Sequence, residues 1–294
     1  MGRGNKVHDA VGLDVIFEQH QGIAFITLNR PETRNALSES ALQQLLQAFS
    51  RCVESPDLHA VILRGKGPLF CAGGDVTFFR QLLERLPEAR RDPLANYIGL
   101  AHQAILTLAQ IPVPVIAAVQ GGAAGIGMSL SCMADFIVAE QGCKFIPAYL
   151  ALGTTPDGGL SRFLPAIIGE KRALDVLMFN RSIDMAQAHQ WGLVSHVVQP
   201  GELERSATEL AKRLAAGPYA ANRQLKQLVK GVSLAQLADH LDQELQSFIA
   251  CAATEDFAAG VMAFIEKRPP VFGQAKATAL DIRADLKALN GLNS

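Results

Sequence analysis

A chain of 294 residues with 49% apolar and 19% charged residues has the material for one large buried core. Its net charge of −1, with both signs interspersed, excludes a broad cationic face for nucleic acid or an anionic membrane. Five widely spaced cysteines without a C-x-x-C exclude a disulfide framework and predict reduced thiols in a cytoplasmic compartment. The N-terminal MGRGNKVHDAVGL has no apolar run of signal-peptide length, and Lys6 spoils a myristoylation pattern.

Runs rich in Val, Ile, Phe and Thr at Asp14–Gln19 and Gly22–Leu28 predict a hairpin, followed by a polar loop at Asn29–Asn35. Ser38 or Ser40 caps a helix striped by Leu42, Leu45, Phe49 and Cys52. Ala60–Leu63 is a third strand, leading through Gly65 and Gly67 to the small-residue segment Phe70–Asp75. The charged, Pro-interrupted stretch 76–97 reads as an exposed loop with short helical pieces. A helix with Ile98, His102, Ile105 and Ala109 on one face comes next.

The nearly uncharged run Val113–Ala134 has membrane-span length, but Pro114, its glycines, Ser129 and Ser131 make it an interior strand and helix instead. It is read as a strand at Val113–Val119, a break at Gly121–Gly122, a small-residue helix at Ala124–Met133 and a strand at Asp135–Ala139. A strand feeding a glycine turn into a helix leaves unpaired backbone N–H groups, which hold a phosphate or a developing oxyanion well. A Pro-Asp-Gly-Gly turn then carries a lone carboxylate, Asp157. Beyond it the pattern is helical almost throughout, with one strand candidate at Trp191–Val198. A helix striped by Leu203, Leu210 and Leu214 stops at Gly217–Pro218, a second is striped by Leu234 to Phe248, and a last one with Phe257, Val261 and Phe264 stops at Pro269–Pro270.

Four motifs stand in order: N-R-P-x-x-x-N-A-L at Asn29–Leu37, F-x-A-G-x-D at Phe70–Asp75, P-V-I-A-A-V-x-G-x-A-x-G at Pro114–Gly125, and A-F-x-E-K-R at Ala263–Arg268. Together they resemble the crotonase superfamily, the enoyl-CoA hydratase/isomerase family, over residues 12 to 272. That resemblance implies an α/β fold with a ββα spiral core over 12–200. It further implies a helical C-terminal trimerisation region over 201–272, with the tail 273–294 unassigned. It also implies an acyl-CoA thioester substrate, a homotrimer or hexamer, and no resident cofactor or metal, since coenzyme A is part of the substrate.

By the same resemblance, Gly74 and Ile126 supply the two N–H donors of an oxyanion hole, Ile126 in place of the usual small residue. Coenzyme A is expected against Asn29, Arg30 and Arg34, against Ala72, Gly73 and Asp75, and against Phe264 and Lys267. Arg34 and Lys267 would meet its phosphates, Lys267 from a neighbouring subunit. Ser129 and Tyr149 stand where the family's hydratases keep two glutamates, so both fall in the expected acyl pocket, with His102. Hydration needs one group to activate water and another to protonate the α-carbon, and neither Ser nor Tyr is a good base near neutral pH. Shifting a double bond needs a single carboxylate. Asp157 matches that position in isomerases of the superfamily, including the ring-epoxide isomerases of phenylacetate breakdown. The expectation is therefore an isomerase acting through Asp157, burial raising its pKa. The alternatives are an aspartate-nucleophile hydrolase or dehalogenase, a hydratase using non-standard residues, and an inactive acyl-CoA binding protein.

Overall fold

The apolar-rich runs Val15–His20 (β1) and Ile23–Leu28 (β2) pair antiparallel, Val15 opposite Leu28, in a computed structural model describing residues 12–230 and 233–273. Gln21 and Gly22 both have positive φ, the geometry of the two-residue turn that matches strand twist. Ser38 resolves the capping choice: its Oγ accepts the Ala41 N–H at 3.2 Å and starts α1 (Glu39–Glu54). β3 (Ala60–Gly65) pairs parallel with β2.

The stretch 76–97 is mostly helix, which corrects the expected exposed loop. Asp75 caps α2 (Val76–Leu83), and α3 (Arg91–Gln110) begins seven residues earlier than the apolar face at Ile98 suggested. Its charges misled because Arg90 points inward. The Arg90 guanidinium donates to the carbonyls of Leu82 and Ala252, while Phe79, Leu82, Leu94 and Tyr97 bury their side chains.

The central run forms β4 (Val115–Val119), β5 (Gly122–Ala124) and α4 (Ile126–Met133), so the expected helix start at Ala124 gives way to a short strand. β6 (Phe136–Glu140) and β7 (Lys144–Ile146) follow. β3, β4 and β6 are each succeeded by a second extended piece, at 71–74, β5 and β7. The first pieces line up in one sheet, ordered β1-β2-β3-β4-β6-β8, where β8 is His196–Val198. The second pieces line up through the bridges Leu37–Gly74 and Cys71–Ala123 and the β5–β7 pair. This is the expected ββα spiral.

α5 (Leu160–Ile168), α6 (Glu170–Met178) and α7 (Met185–Gln190) precede β8. That strand is confined to His196–Val198, because the Trp191 end of the expected strand caps α7. α8 (Leu203–Ala215), α9 (Tyr219–Lys230), α10 (Leu234–Ala252) and α11 (Glu255–Ile265) complete the chain. α8 lays Leu203, Ala207 and Ala211 over Ile23, Ile62, Ile116 and Val138, closing the second face of the large sheet. α10 packs its Leu237–Leu241–Phe248 stripe into the main core beside α3. Among the described residues, no single helix is long and apolar enough to cross a membrane. The readings of residues 1–11 and of the tail from 274 onward lie outside the described residues.

Candidate active site

Three chain segments meet around a cleft of about 280 Å³: the second extended piece at 72–74, the start of α4, and the stretch 146–157. Gly73 runs so close to the β5–α4 junction that an added Cβ would sit 3.0 Å from the Ala124 carbonyl oxygen, and its φ of 103° favours glycine. This approach brings Gly74 beside Ile126, the first residue of α4, on one wall. Among the described residues, neither the Gly74 nor the Ile126 amide donates a hydrogen bond to protein. Tyr97 holds the wall from behind: its hydroxyl accepts the Asp75 N–H at 3.0 Å and donates to the Leu37 carbonyl. Two free amides, one at a helix N-terminus, form a place for negative charge on oxygen.

Asp157 belongs to another wall, built by the 146–157 stretch, and is the one carboxylate lining the cleft among the described residues. It is 7% exposed, and burial pushes its pKa up to about 7 against a weaker lowering by the Tyr149 hydroxyl. That hydroxyl donates to Asp157 Oδ1 at 2.5 Å. Burial and the neighbouring Asp157 charge hold the Tyr149 phenol well above its usual range, so it stays a donor. Ser129 Oγ sits 3.2 Å from the Tyr149 hydroxyl and donates to the Asp157 carbonyl at 3.0 Å. The two positions read as vacated by glutamates are therefore neighbours, joined to Asp157 in one hydrogen-bonded group.

Two of the expected pocket residues stand behind the wall instead of in it. Ser129 is fully buried under Tyr149. His102 Nε2 accepts the Gly158 N–H at 3.2 Å, and burial lowers its pKa to about 4, so the ring is neutral and its acceptor occupied. His102 thus braces the turn and does not face the cleft. Gly158 (φ 62°) is needed there, since an added Cβ would lie 2.1 Å from Ile126 Cδ1. The Ile126 side chain packs on the turn and carries the two walls against each other.

Of the residues expected around coenzyme A, Ala72, Gly73 and the 55%-exposed Phe264 line the cleft. Asp75 caps α2 and pairs with Arg30, which also reaches Asp14 and the Ala36 carbonyl. Asn29 donates its amide to the Leu13 carbonyl. Arg30, Asn29 and Asp75 tie these loops together. Arg34 and Lys267 are exposed with positive φ and lie outside the cleft lining. Asp135 binds Lys226 at 2.7 Å and accepts the Val115 N–H.

Sequence reasoning missed Phe79, Tyr97 and Phe248, which line the cleft, and Asn180, another lining residue, whose Oδ1 is buried without a hydrogen bond among the described residues. It also missed Glu244 on α10, 5% exposed, which accepts the Gly159 N–H at 2.7 Å. A signal for Glu244 existed: it falls at heptad spacing between Leu241 and Phe248, a charge inside an apolar stripe.

A family profile described as "Enoyl-CoA hydratase/isomerase" matches residues 18–275. The chain is 31% identical over 265 residues to 1,2-epoxyphenylacetyl-CoA isomerase of Escherichia coli (strain K12), covering 88% of this chain and 97% of that protein. It is 30% identical over 271 residues to 4-chlorobenzoyl coenzyme A dehalogenase-2 of an Arthrobacter species, covering 91% and 94%. A crystal structure of an enoyl-CoA hydratase from Mycobacterium avium subsp. paratuberculosis K-10 superposes with a TM-score of 0.79 at 26% identity, covering 88% of this chain and 98% of that one. With the spiral fold and the four motifs, these likenesses make the chain a member of the enoyl-CoA hydratase/isomerase family, within the crotonase superfamily.

Proposed function

We propose that the protein is an acyl-CoA isomerase that moves a double bond from the 3- to the 2-position, or rearranges a related ring-derived acyl-CoA, with Asp157 as sole acid/base. The observation that carries this reading is a single carboxylate lining the same cleft as the Gly74 and Ile126 amides, which donate to no protein acceptor among the described residues. The Asp157 carboxylate takes a proton from C2 of a 3-enoyl thioester, and the C–H electron pair moves into a dienolate whose charge rests on the thioester oxygen. The two amides stabilise that oxygen. Asp157 then returns the proton to C4, leaving the 2-enoyl product. A carboxyl with a pKa of about 7 suits both halves of this exchange. Among the described residues lining the cleft there is no second carboxylate and no histidine to activate water, which favours the isomerase reading over hydration.

Phe79, Tyr97 and Phe248 in the cleft lining fit an apolar or ring-bearing acyl group. The exposed Leu225, Leu228 and Val229 on α9 support a homotrimer or hexamer, to be checked by light scattering. The five unpaired cysteines support a cytoplasmic setting.

The test follows α- and γ-proton exchange of a 3-enoyl-CoA thioester in D₂O. Asp157→Asn is expected to lower kcat by about 10²–10⁴-fold with thioester binding kept. Comparable turnover in that variant, or a covalent adduct on Asp157 in rapidly quenched protein, would remove the mechanism.

A further inference from the structure

Behind Asp157, three successive links hold its turn. Tyr149 grips the carboxyl, His102 of α3 accepts the Gly158 N–H, and Glu244 of α10 accepts the Gly159 N–H at 2.7 Å and the Ser161 N–H at 3.1 Å. Ser161 Oγ donates to Glu244 as well, at 2.5 Å, and lies 2.8 Å from His240 Nε2. A carboxylate that is 5% exposed and takes three donors from one turn is costly to bury for packing alone. Its position matters more than its presence: the accepted N–H groups lie two and four residues beyond Asp157, at the entry to α5. Leu237, Leu241 and Phe248 fix α10 in the core, so the clamp ties the turn to a buried stripe of that helix.

Resting on the isomerase reading, we infer that Glu244 is a positioning residue: its buried carboxylate anchors the turn after Asp157 and sets where the proton-carrying carboxyl stands relative to the Gly74 and Ile126 amides. It touches no reacting atom, since it lies outside the cleft lining. Its charge also acts through space. The groups facing Asp157 are Tyr149 from the preceding turn, Tyr97 and His102 from α3, and Glu244 from α10, with His240 and Asp242 further back on α10. After burial, Glu244 is the charge that raises the Asp157 pKa, opposing the hydrogen bond from Tyr149.

The experiment measures kcat, KM and the pH profile of proton exchange into a 3-enoyl-CoA thioester for wild type, Glu244→Gln, Glu244→Asp and Asp157→Asn. Glu244→Gln keeps the volume, removes the charge and loses one acceptor. It is expected to lower kcat by about 10- to 100-fold, because misplacement of about an ångström costs that much. KM should stay within about threefold of wild type. The acid limb should move to lower pH by about half a unit or more, as the neighbouring negative charge is gone. A residue that only stabilised the fold would change the melting temperature and leave that limb in place. Glu244→Asp keeps the charge but is one methylene short of both amides, so the limb should hold while kcat falls. Wild-type kcat and an unmoved limb in Glu244→Gln overturn the proposal. Should that variant not fold, wild-type kcat in Glu244→Asp overturns it. Full turnover in Asp157→Asn would instead remove the isomerase reading, so the two failures are distinguishable.

Discussion

On one wall of the cleft the reactive groups are main-chain amides, at Gly74 and Ile126, and local chain geometry largely sets them: a glycine that lets two strands touch, and a helix that starts where a strand ends. On the other wall the reactive group is a side chain. Asp157 is held by Tyr149 eight residues away, Ser129 twenty-eight away, and, through the next two amides, His102 and Glu244 at fifty-six and eighty-five. Backbone donors need only the right turn, whereas a carboxyl kept at a pKa of about 7 in an apolar cleft must be fenced by partners from several elements. α3 joins the two walls, with Tyr97 behind the amides and His102 behind the acid.

The largest effect that would test this contrast is one of stability. Asp157 keeps its proton in the folded protein up to about 7, while the unfolded chain loses it near 3.8. Its contribution is therefore full below the lower value and falls away as pH rises through the higher one, with a ceiling of about 4 kcal/mol. Asp157→Asn should accordingly melt higher than wild type at pH 8, the gap closing toward pH 4. His102, buried neutral with its pKa lowered to about 4, destabilises both proteins as pH falls and cancels in the comparison. Equal melting of the two at pH 8 would mean that Asp157 is not fenced from water.

Next in size is the amide wall. Ile126 is the first residue of α4, where proline is tolerated and its missing N–H costs the helix nothing. Ile126→Pro removes both the amide N–H and the side chain packed on the Asp157 turn. Its loss in kcat should therefore exceed that of Ile126→Ala, which keeps the amide, by about 10²–10³-fold, the loss typical of one oxyanion donor. Equal activity in the two variants would show that this amide is not used.

Tyr149→Phe probes the acid wall with a smaller change. The Tyr149 hydrogen bond lowers the Asp157 pKa, so its loss should shift the acid limb of kcat/KM to higher pH and reduce kcat by about tenfold. A limb moving the other way would contradict the assigned donor. The smallest effect belongs to Arg30→Ala. Its partially exposed ion pairs with Asp14 and Asp75 should contribute less than about 1 kcal/mol in urea unfolding, with KM for the thioester raised only modestly as the two loops loosen.

Much of the fold was legible because strand and helix periods are local. The hairpin, the strand–glycine–helix run and the C-terminal stripes follow from apolar spacing and cap residues. The stretch 76–97 was not, since its charges count as exposed until Arg90 is seen to meet the Ala252 carbonyl 162 residues away. β5 and β7 were missed for a similar reason: three residues each, they are strands only because they pair with one another.

The amino-acid sequence by itself determined that a glycine-rich strand-to-helix junction and a lone acid in a Pro-Asp-Gly-Gly turn exist; that Ser129 and Tyr149 stand at two glutamate positions is what the family resemblance implied. Only the tertiary structure decided that Tyr149 holds the acid, that His102 faces away from the cleft, and that Glu244 reaches the turn from the far end of the chain. The physical reason is range. Backbone conformation is set within a few residues, but the environment that tunes a carboxyl is assembled from elements that meet only when the core closes.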